Sequence, residues 1–185
     1  MTEKEAIYYE LLVLRCRQRQ REALEELVRT WDRPLFYYIR RLVEDEHEAR
    51  QILQQTWVKV LQGLGRLREP RKLPLWLYSI ARKTALSHLR SRYSEQALFQ
   101  REAEVPDLPD ESTDLRLDEV EQVHYGLSRL SLMQREVLTL FFLQDLSLEE
   151  IAAVLEIPVG TVKSRLHHAK RALKAILEQE GSSHE

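Results

Sequence analysis

The chain has 185 residues and a mass of 22.0 kDa, with 43% hydrophobic and 31% charged residues, the mix of one ordinary globular domain or two small ones. Only 5 glycines and 6 prolines argue against a turn-dense β-sandwich. No apolar run approaches the roughly 20 residues of a bilayer span, no signal-peptide pattern opens the chain, and the lone Cys16 excludes a disulfide framework. We therefore expect an all-α, cytoplasmic protein without membrane insertion.

The net charge of −2 conceals an uneven distribution of charge along the chain. Residues 1–100 hold 19 basic and 13 acidic residues, whereas residues 101–122 hold nine acidic residues and only two basic ones. Two prolines in the acidic strip disfavour a helix there. We expect two small helical domains, at 1–98 and 123–185, joined by a flexible acidic linker at 99–122.

Apolar residues spaced by three and four predict the first two helices. The first runs from about Glu5 to Arg19 and carries three leucines, Leu11, Leu12 and Leu14. The second has the longer stripe Leu24, Leu27, Val28, Trp31, Leu35, Tyr38, Ile39 and Leu42. Pro34 lies inside this stripe and has no N–H to donate to the carbonyl of Thr30. The second helix is therefore predicted to kink or break near residues 31–33.

Two further stripes predict a third and a fourth helix. The third helix carries the stripe from Ala49 to Leu61 and ends near Gly63 and Gly65, which suit a helix stop. The fourth begins at Leu73, with proline in its first turn, and continues toward Leu89.

A basic segment separates the third and fourth helices. It reads Arg66-Leu67-Arg68-Glu69-Pro70-Arg71-Lys72, and the helix after it carries Trp76, Arg82, Lys83 and Arg90. Cations neutralise phosphates and flat side chains stack on unpaired bases, so the segment suits single-stranded nucleic acid. A solvated basic face over an aromatic core is the alternative, and for Trp76 alone, on the apolar stripe, we favour a core position.

The C-terminal segment predicts a helix-turn-helix. Ser147 and Glu150 match a capping box at the start of a short helix, and residues 156–158 form the turn. The helix after the turn has an apolar back and a polar, basic front, as a helix that enters the major groove needs. We expect Lys163 and His168 to face the groove one turn apart. An αα-hairpin with a solvated basic face is the alternative.

These segments resemble a known family. Leu127 to Leu138, Leu146 to Ala152 and Ile157 to Leu166 are similar to region 4 of bacterial sigma factors, with the best match in the extracytoplasmic-function (group 4) class. Ala49 to Val60 and Trp76 to Arg82 resemble region 2 of the same class.

The resemblance implies a protein that binds core RNA polymerase, directs it to promoter DNA and helps to melt the duplex. Region 4 would read the −35 duplex through Thr161, Lys163, Ser164, Arg165, His167, His168, Lys170 and Arg171. Region 2 would capture the −10 non-template strand through Arg66, Arg68, Arg71, Lys72, Trp76, Arg82, Lys83 and Arg90. The helix from Glu48 to Leu61 would dock on polymerase through Gln51, Gln54, Gln55 and Lys59. The resemblance further implies an anti-sigma factor as a partner, and neither a cofactor nor a metal.

The sequence departs from the family's usual pattern at four positions. Gln51 and Gln55 stand where an acid is usual, so two negative charges are replaced by amides on the predicted docking helix. Lys83 and Ser87 stand where Asn and Asp are usual on the melting helix.

Two other functions compete with this interpretation. A two-domain helix-turn-helix regulator that does not replace sigma would share the C-terminal motif, and comigration with core polymerase distinguishes the two. The six histidines lack metal-ligand spacing, and neither a Ser-His-Asp set nor a phosphate-binding glycine loop is present, so we expect no enzymatic activity. Cys16, between Arg15 and Arg17, is expected to be inert.

Overall fold

A computed structural model describes residues 2–43, 45–92 and 126–181. The chain divides into two compact units, Met1–Leu89 and Arg90–Glu185. The described residues form helices and turns and contain no strand, which confirms the all-α prediction. The predicted acidic linker at 99–122 lies outside the described residues. None of the described helices combines the length and hydropathy that a membrane span needs.

The first unit contains four helices and two short 3₁₀ turns. The helices are α1 (Glu3–Arg17), α2 (Arg21–Leu42), α3 (Glu46–Gly63) and α4 (Leu73–Arg92), and the 3₁₀ turns are Leu64–Arg66 and Pro70–Lys72. All four predicted helices are present. The first begins and ends two residues earlier than predicted, and of its three leucines only Leu12 is buried.

Local hydrogen bonds explain where α1 lies. Thr2 and Glu5 form a capping box at its start, with the Glu5 N–H donating to the Thr2 hydroxyl over 3.3 Å. At its end, Arg19 takes the left-handed conformation (φ 58°) and Gln20 N–H donates to the Arg15 carbonyl over 3.2 Å. Because this Schellman-type ending has an arginine instead of the usual glycine in the left-handed position, the sequence contains no signal for the end of the helix.

The break predicted near residues 31–33 does not occur, because α2 continues through Pro34 to Leu42, and a kink there stays a prediction. Proline removes one backbone hydrogen bond and strains the preceding turn, a cost of about 3 kcal/mol in a helix interior. Trp31, Leu35 and Tyr38 are buried on either side of the proline. Burial of three large side chains offsets that cost.

Helices α3 and α4 pack antiparallel. Three contacts show this: Gly63 lies against the Trp76 ring, Lys59 Nζ donates to Thr84 Oγ1 over 3.1 Å, and Glu48 Oε2 lies 3.6 Å from His88 Nε2. The contacting residues on α4 have increasing numbers where their partners on α3 have decreasing numbers, as in an antiparallel pair.

Aromatic rings fill the centre of the first unit. Tyr78 packs edge-on against Trp31 and Tyr38, with ring centroids 5.9 and 5.3 Å apart. Burial raises the pKa of Tyr78 well above its ordinary value, so the phenol stays protonated. Cys16 is also buried, and desolvation raises the pKa of its thiol, which supports the prediction that it is inert.

Within residues 126–181, the second unit has a helical turn at 126–129, three longer helices and a π-helical turn. The helices are α5 (Leu132–Leu138), α6 (Leu148–Leu155) and α7 (Val159–Gly181), and the π-helical turn is Thr139–Leu143. Of the apolar stripes predicted for the last two helices, Ile176 is only half-buried, and the others are buried: Ile151, Ala152, Val154, Leu155, Val162, Leu166, Ala169 and Leu173. Ala153, between the buried residues of α6, is exposed.

Candidate nucleic-acid interface

The helix-turn-helix is α6, the turn after it and α7. The predicted capping box is present: Glu150 N–H donates to the Ser147 hydroxyl over 3.2 Å, and Ser147 N–H donates to the Glu150 carboxylate over 2.9 Å. Glu156 takes the left-handed conformation (φ 57°), and Ile157 N–H donates to the Ala152 carbonyl over 3.2 Å. These bonds set the angle at which α7 leaves the turn.

The exposed side of α7 begins at its N-terminus. Gly160, Lys163 and Ser164 are exposed, while Thr161, Arg165, His167 and Arg171 are half-buried. Residues 160, 164, 167 and 171 share one side of the helix because they are spaced by three and four. Lys163 flanks that side, so this polar surface can meet base edges and phosphates together.

His168 lies on the opposite flank of this surface from Lys163, and the expectation that both side chains face the groove stays a prediction. Five residues of an α-helix rotate by about 140°, so the two side chains leave α7 in different directions. His168 is half-buried, and its Nδ1 is enclosed without a hydrogen-bond partner among the described residues.

Lys170 is held by the π-helical turn. Its ammonium lies 5.2 Å from the ring centroids of both Phe141 and Phe142, a cation–π arrangement. The two rings meet edge to face, 4.9 Å apart. Lys170 therefore joins α7 to the turn before α6, a role that the sequence analysis missed because the π-helical turn has no sequence signal.

The basic segment of the first unit forms a compact turn, residues 64–72, which we call the basic turn. Leu64 and Leu67 are buried and anchor it, while Arg66 and Arg68 are exposed. No ion pair of these two arginines occurs within the described part of the chain. The basic turn thus presents two exposed guanidinium groups on a fixed backbone.

The other two cations of the basic turn are already paired. Arg71 Nε lies 2.8 Å from the Glu10 carboxylate and Arg71 Nη1 lies 3.0 Å from that of Glu3. Hydrogen bonding to Glu10, and then the charges of Glu10 and Glu3, raise the pKa of Arg71. Lys72 pairs with Glu69 over 2.6 Å. Sequence spacing cannot reveal the Arg71 pairs, since their partners lie 61 and 68 residues away.

The exposed side of α4 continues from the basic turn. Trp76 is half-buried rather than in the core as favoured, and Lys83, Ser87 and Arg90 are exposed further along. Their spacings of seven, four and three place them on one side of the helix. Arg82 leaves α4 on a different side, about 80° to 140° away from these residues. The structure therefore gathers Trp76, Lys83 and Arg90 and sets Arg82 apart.

Helix α3 presents an uncharged outer side. Gln51, Gln54 and Gln55 are exposed, and Val58 continues their side of the helix with 54% of its surface exposed. Leu61, predicted on the buried stripe, is instead 51% exposed. Lys59 lies elsewhere, since its ammonium contacts Thr84 on α4.

Comparisons with known proteins agree for both units. The family model "Sigma-70 region 2" matches residues 27–95, and "Sigma-70, region 4" matches residues 121–173. The RNA polymerase sigma-H factor of Pseudomonas aeruginosa is 31% identical, over 90% of this chain and 92% of its own length. The ECF RNA polymerase sigma factor SigW of Bacillus subtilis is 26% identical, over 84% and 89% of the two chains.

Solved structures show a similar fold. CnrH, in its complex with the cytosolic domain of CnrY, superimposes with a TM-score of 0.70 at 22% identity, covering 92% of this chain and 97% of that one. RpoE of Bartonella quintana, crystallised with the anti-sigma factor NepR, gives a TM-score of 0.65 at 21% identity, covering 83% and 96%.

Proposed function

The chain belongs to the sigma-70 family of RNA polymerase sigma factors, in the extracytoplasmic-function class, and on this premise we propose how its residues divide a promoter between the two units. As a sigma factor, it binds core RNA polymerase and directs transcription to particular promoters. The observation that carries this function is a capped helix-turn-helix and a turn with the exposed Arg66 and Arg68, in one chain that matches a sigma factor along nine-tenths of its length.

In this proposal, the second unit reads the −35 element as duplex. The N-terminal half of α7 enters the major groove, where Lys163 and Ser164 are exposed for base edges. His167 and Arg171 follow on the same side. Arg165 and Thr161 lie at the edge of this surface, where contacts to phosphates fix the register of the helix without specifying sequence.

The first unit captures the −10 non-template strand. Arg66 and Arg68 of the basic turn neutralise phosphates. Trp76, which follows them in the sequence and is half-buried, stacks on an unpaired base. Lys83 adds positive charge further along α4, where relatives usually have a neutral amide. The strand would therefore follow α4 away from the basic turn.

The outer side of α3 docks on polymerase. Its amides make hydrogen bonds without long-range attraction, and Val58 and Leu61 add apolar area that water would leave on binding. Docking at this helix therefore depends more on contact area, and less on charge, than in relatives with acids at these positions.

Regulation by an anti-sigma factor is part of the proposal. The structure of the Bartonella RpoE contains the anti-sigma factor NepR, and that of CnrH contains the cytosolic domain of CnrY. We place this chain in the cytoplasm, where core polymerase works, and assign it no catalytic role of its own.

Run-off transcription tests the function. The full chain is added to core polymerase on a library of genomic fragments, and discrete transcripts that require the protein are expected. Comigration with core polymerase in gel filtration accompanies the assay. DNA binding without comigration and without transcripts would instead identify a regulator that does not replace sigma.

A further inference from the structure

We propose that α1 is a bracket that holds the basic turn in its strand-capturing shape, and that Arg71 positions this turn instead of contacting DNA. The inference rests on the proposed function of the first unit. The sequence of the basic turn does not indicate that Arg71 differs in role from Arg66 and Arg68. The difference comes from contacts of Arg71 with α1, a helix more than fifty residues earlier in the chain.

One edge of α1 carries the bracket. Glu3, Glu10 and Arg17 are seven residues apart, so they lie along one side of the helix. Ala6 and Val13, which alternate with them, are buried beneath. The charged groups are therefore fixed at the rim of a packed surface, and the capping box at Thr2 orders the turn that holds Glu3.

Arg17 grips the backbone of the basic turn. Its Nε donates to the Leu64 carbonyl over 3.3 Å, and its Nη2 donates to the Leu67 carbonyl. These two carbonyls belong to the first residue of the first 3₁₀ turn and to the residue that follows the turn. The side chains of Leu64 and Leu67 are both buried. A planar guanidinium can reach two carbonyls at fixed spacing, whereas a lysine ammonium offers only a single point of contact. Arg17 thus fixes the backbone next to Arg66 and Arg68.

Arg71 of the basic turn contacts α1 in turn. Its guanidinium bridges the carboxylates of Glu10 and Glu3 at the surface, so its charge is compensated by the protein's own acidic groups. Arg66 and Arg68 have no such compensation within the described residues. A phosphate would have to displace two carboxylates from Arg71 but none from the other two. The three arginines therefore have two roles: Arg66 and Arg68 contact the strand, and Arg71 holds the turn.

The dependence of promoter opening on salt separates these roles. Each lost phosphate contact to a single strand lowers the slope of log affinity against log salt by about 0.7. Arg68→Ala should lower this slope, whereas Arg17→Lys and Arg71→Ala should reduce open complexes by about three- to tenfold with the slope unchanged. Open complexes are measured by permanganate reactivity of unpaired thymines, with holoenzyme and a promoter found by run-off transcription.

Amide hydrogen exchange of the free protein tests the bracket without DNA or polymerase. Exchange across residues 64–72 should accelerate in Arg17→Lys and Arg71→Ala and stay unchanged in Arg21→Ala, a matched control whose ion pair with Glu25 lies within α2. Glu10→Arg and Arg71→Glu should each accelerate amide exchange and reduce open complexes. The double variant, which exchanges the two charges, should restore both slow exchange and open complexes. Binding of −35 duplex should be equal in all variants.

Three results would overturn the inference. If amide exchange across residues 64–72 is unchanged in Arg17→Lys, α1 does not hold the basic turn. If that exchange accelerates while open complexes form normally, the contact with α1 has no role in capturing the strand. A slope lowered by Arg71→Ala as much as by Arg68→Ala would make Arg71 a DNA contact. If the wild-type protein itself opened no promoter, the proposed function would fail, and this inference with it.

Discussion

The helix-turn-helix of the second unit and the basic turn of the first unit achieve order in different ways. Residues 147–162 are ordered by bonds that span three to five residues: the capping box of Ser147 and the left-handed turn at Glu156. The basic turn is ordered by contacts across about fifty to seventy residues, from Arg17 to Leu64 and from Glu3 to Arg71. A duplex groove accepts a rigid helix that is ordered by its own sequence, whereas the strand-capturing turn depends on the packing of its whole unit.

The buried anchors of the basic turn provide the largest test of this difference. Leu67→Ala should destabilise the first unit by about 2–4 kcal/mol, because it removes a buried side chain from a packed site. All three tryptophans, Trp31, Trp57 and Trp76, lie in the first unit, so tryptophan fluorescence during urea unfolding follows that unit alone. Binding of −35 duplex at low temperature should be unchanged, and a parallel loss of that binding would mean that the units are not independent.

The exposed side of α7 provides the next test. Lys163→Ala should weaken −35 binding by about 1–3 kcal/mol if it contacts a base edge. His168→Ala should weaken binding less, because the ring is half-buried and its Nδ1 is enclosed, whereas Lys163 is exposed. Fluorescence anisotropy with a labelled promoter duplex measures both. Equal losses for the two variants would contradict the assignment of the groove-facing side.

The helix cap of the second unit tests whether local bonds order the helix-turn-helix. Ser147→Ala should destabilise α6 by about 1 kcal/mol, since an N-cap hydroxyl satisfies an otherwise unpaired N–H. Exchange of the amides at the start of α6 should accelerate, while amides of the basic turn keep their rates. Ser147→Asp, which retains a capping oxygen, should restore protection. No change in Ser147→Ala would mean that packing alone orders the hairpin.

The smallest expected effect concerns the uncharged side of α3. Gln51→Asp with Gln55→Glu restores two acids at exposed positions, so polymerase should bind faster at low salt, with a gain of about 0.5 kcal/mol that fades at high salt. Stability should hardly change, because both side chains face solvent. Titration against core polymerase at two salt concentrations measures the gain. Weaker binding after the substitutions would show that the amides match a different partner surface.

Much of the helix content could be predicted from spacing and end signals. The stripes from Ala49 and from Ile151 lie in helices, and the Ser147 capping box forms, because each signal acts over one or two turns of chain. The helix does not break at Pro34 because the burial of Trp31 and Leu35, which offsets the local cost of the proline, is not a local property of the chain.

The sequence by itself determined the elements whose physics is local: helices, caps, the turn before α7 and the apolar stripes that pair α6 with α7. Only the tertiary structure decided which charged groups remain available. Arg66, Arg68 and Arg71 look alike in the sequence, yet Arg71 is compensated by Glu10 and Glu3, while Lys170 is held over Phe141 and Phe142. An ion pair or a cation–π contact depends on two groups meeting within a few ångströms, and that proximity arises only when distant helices pack together.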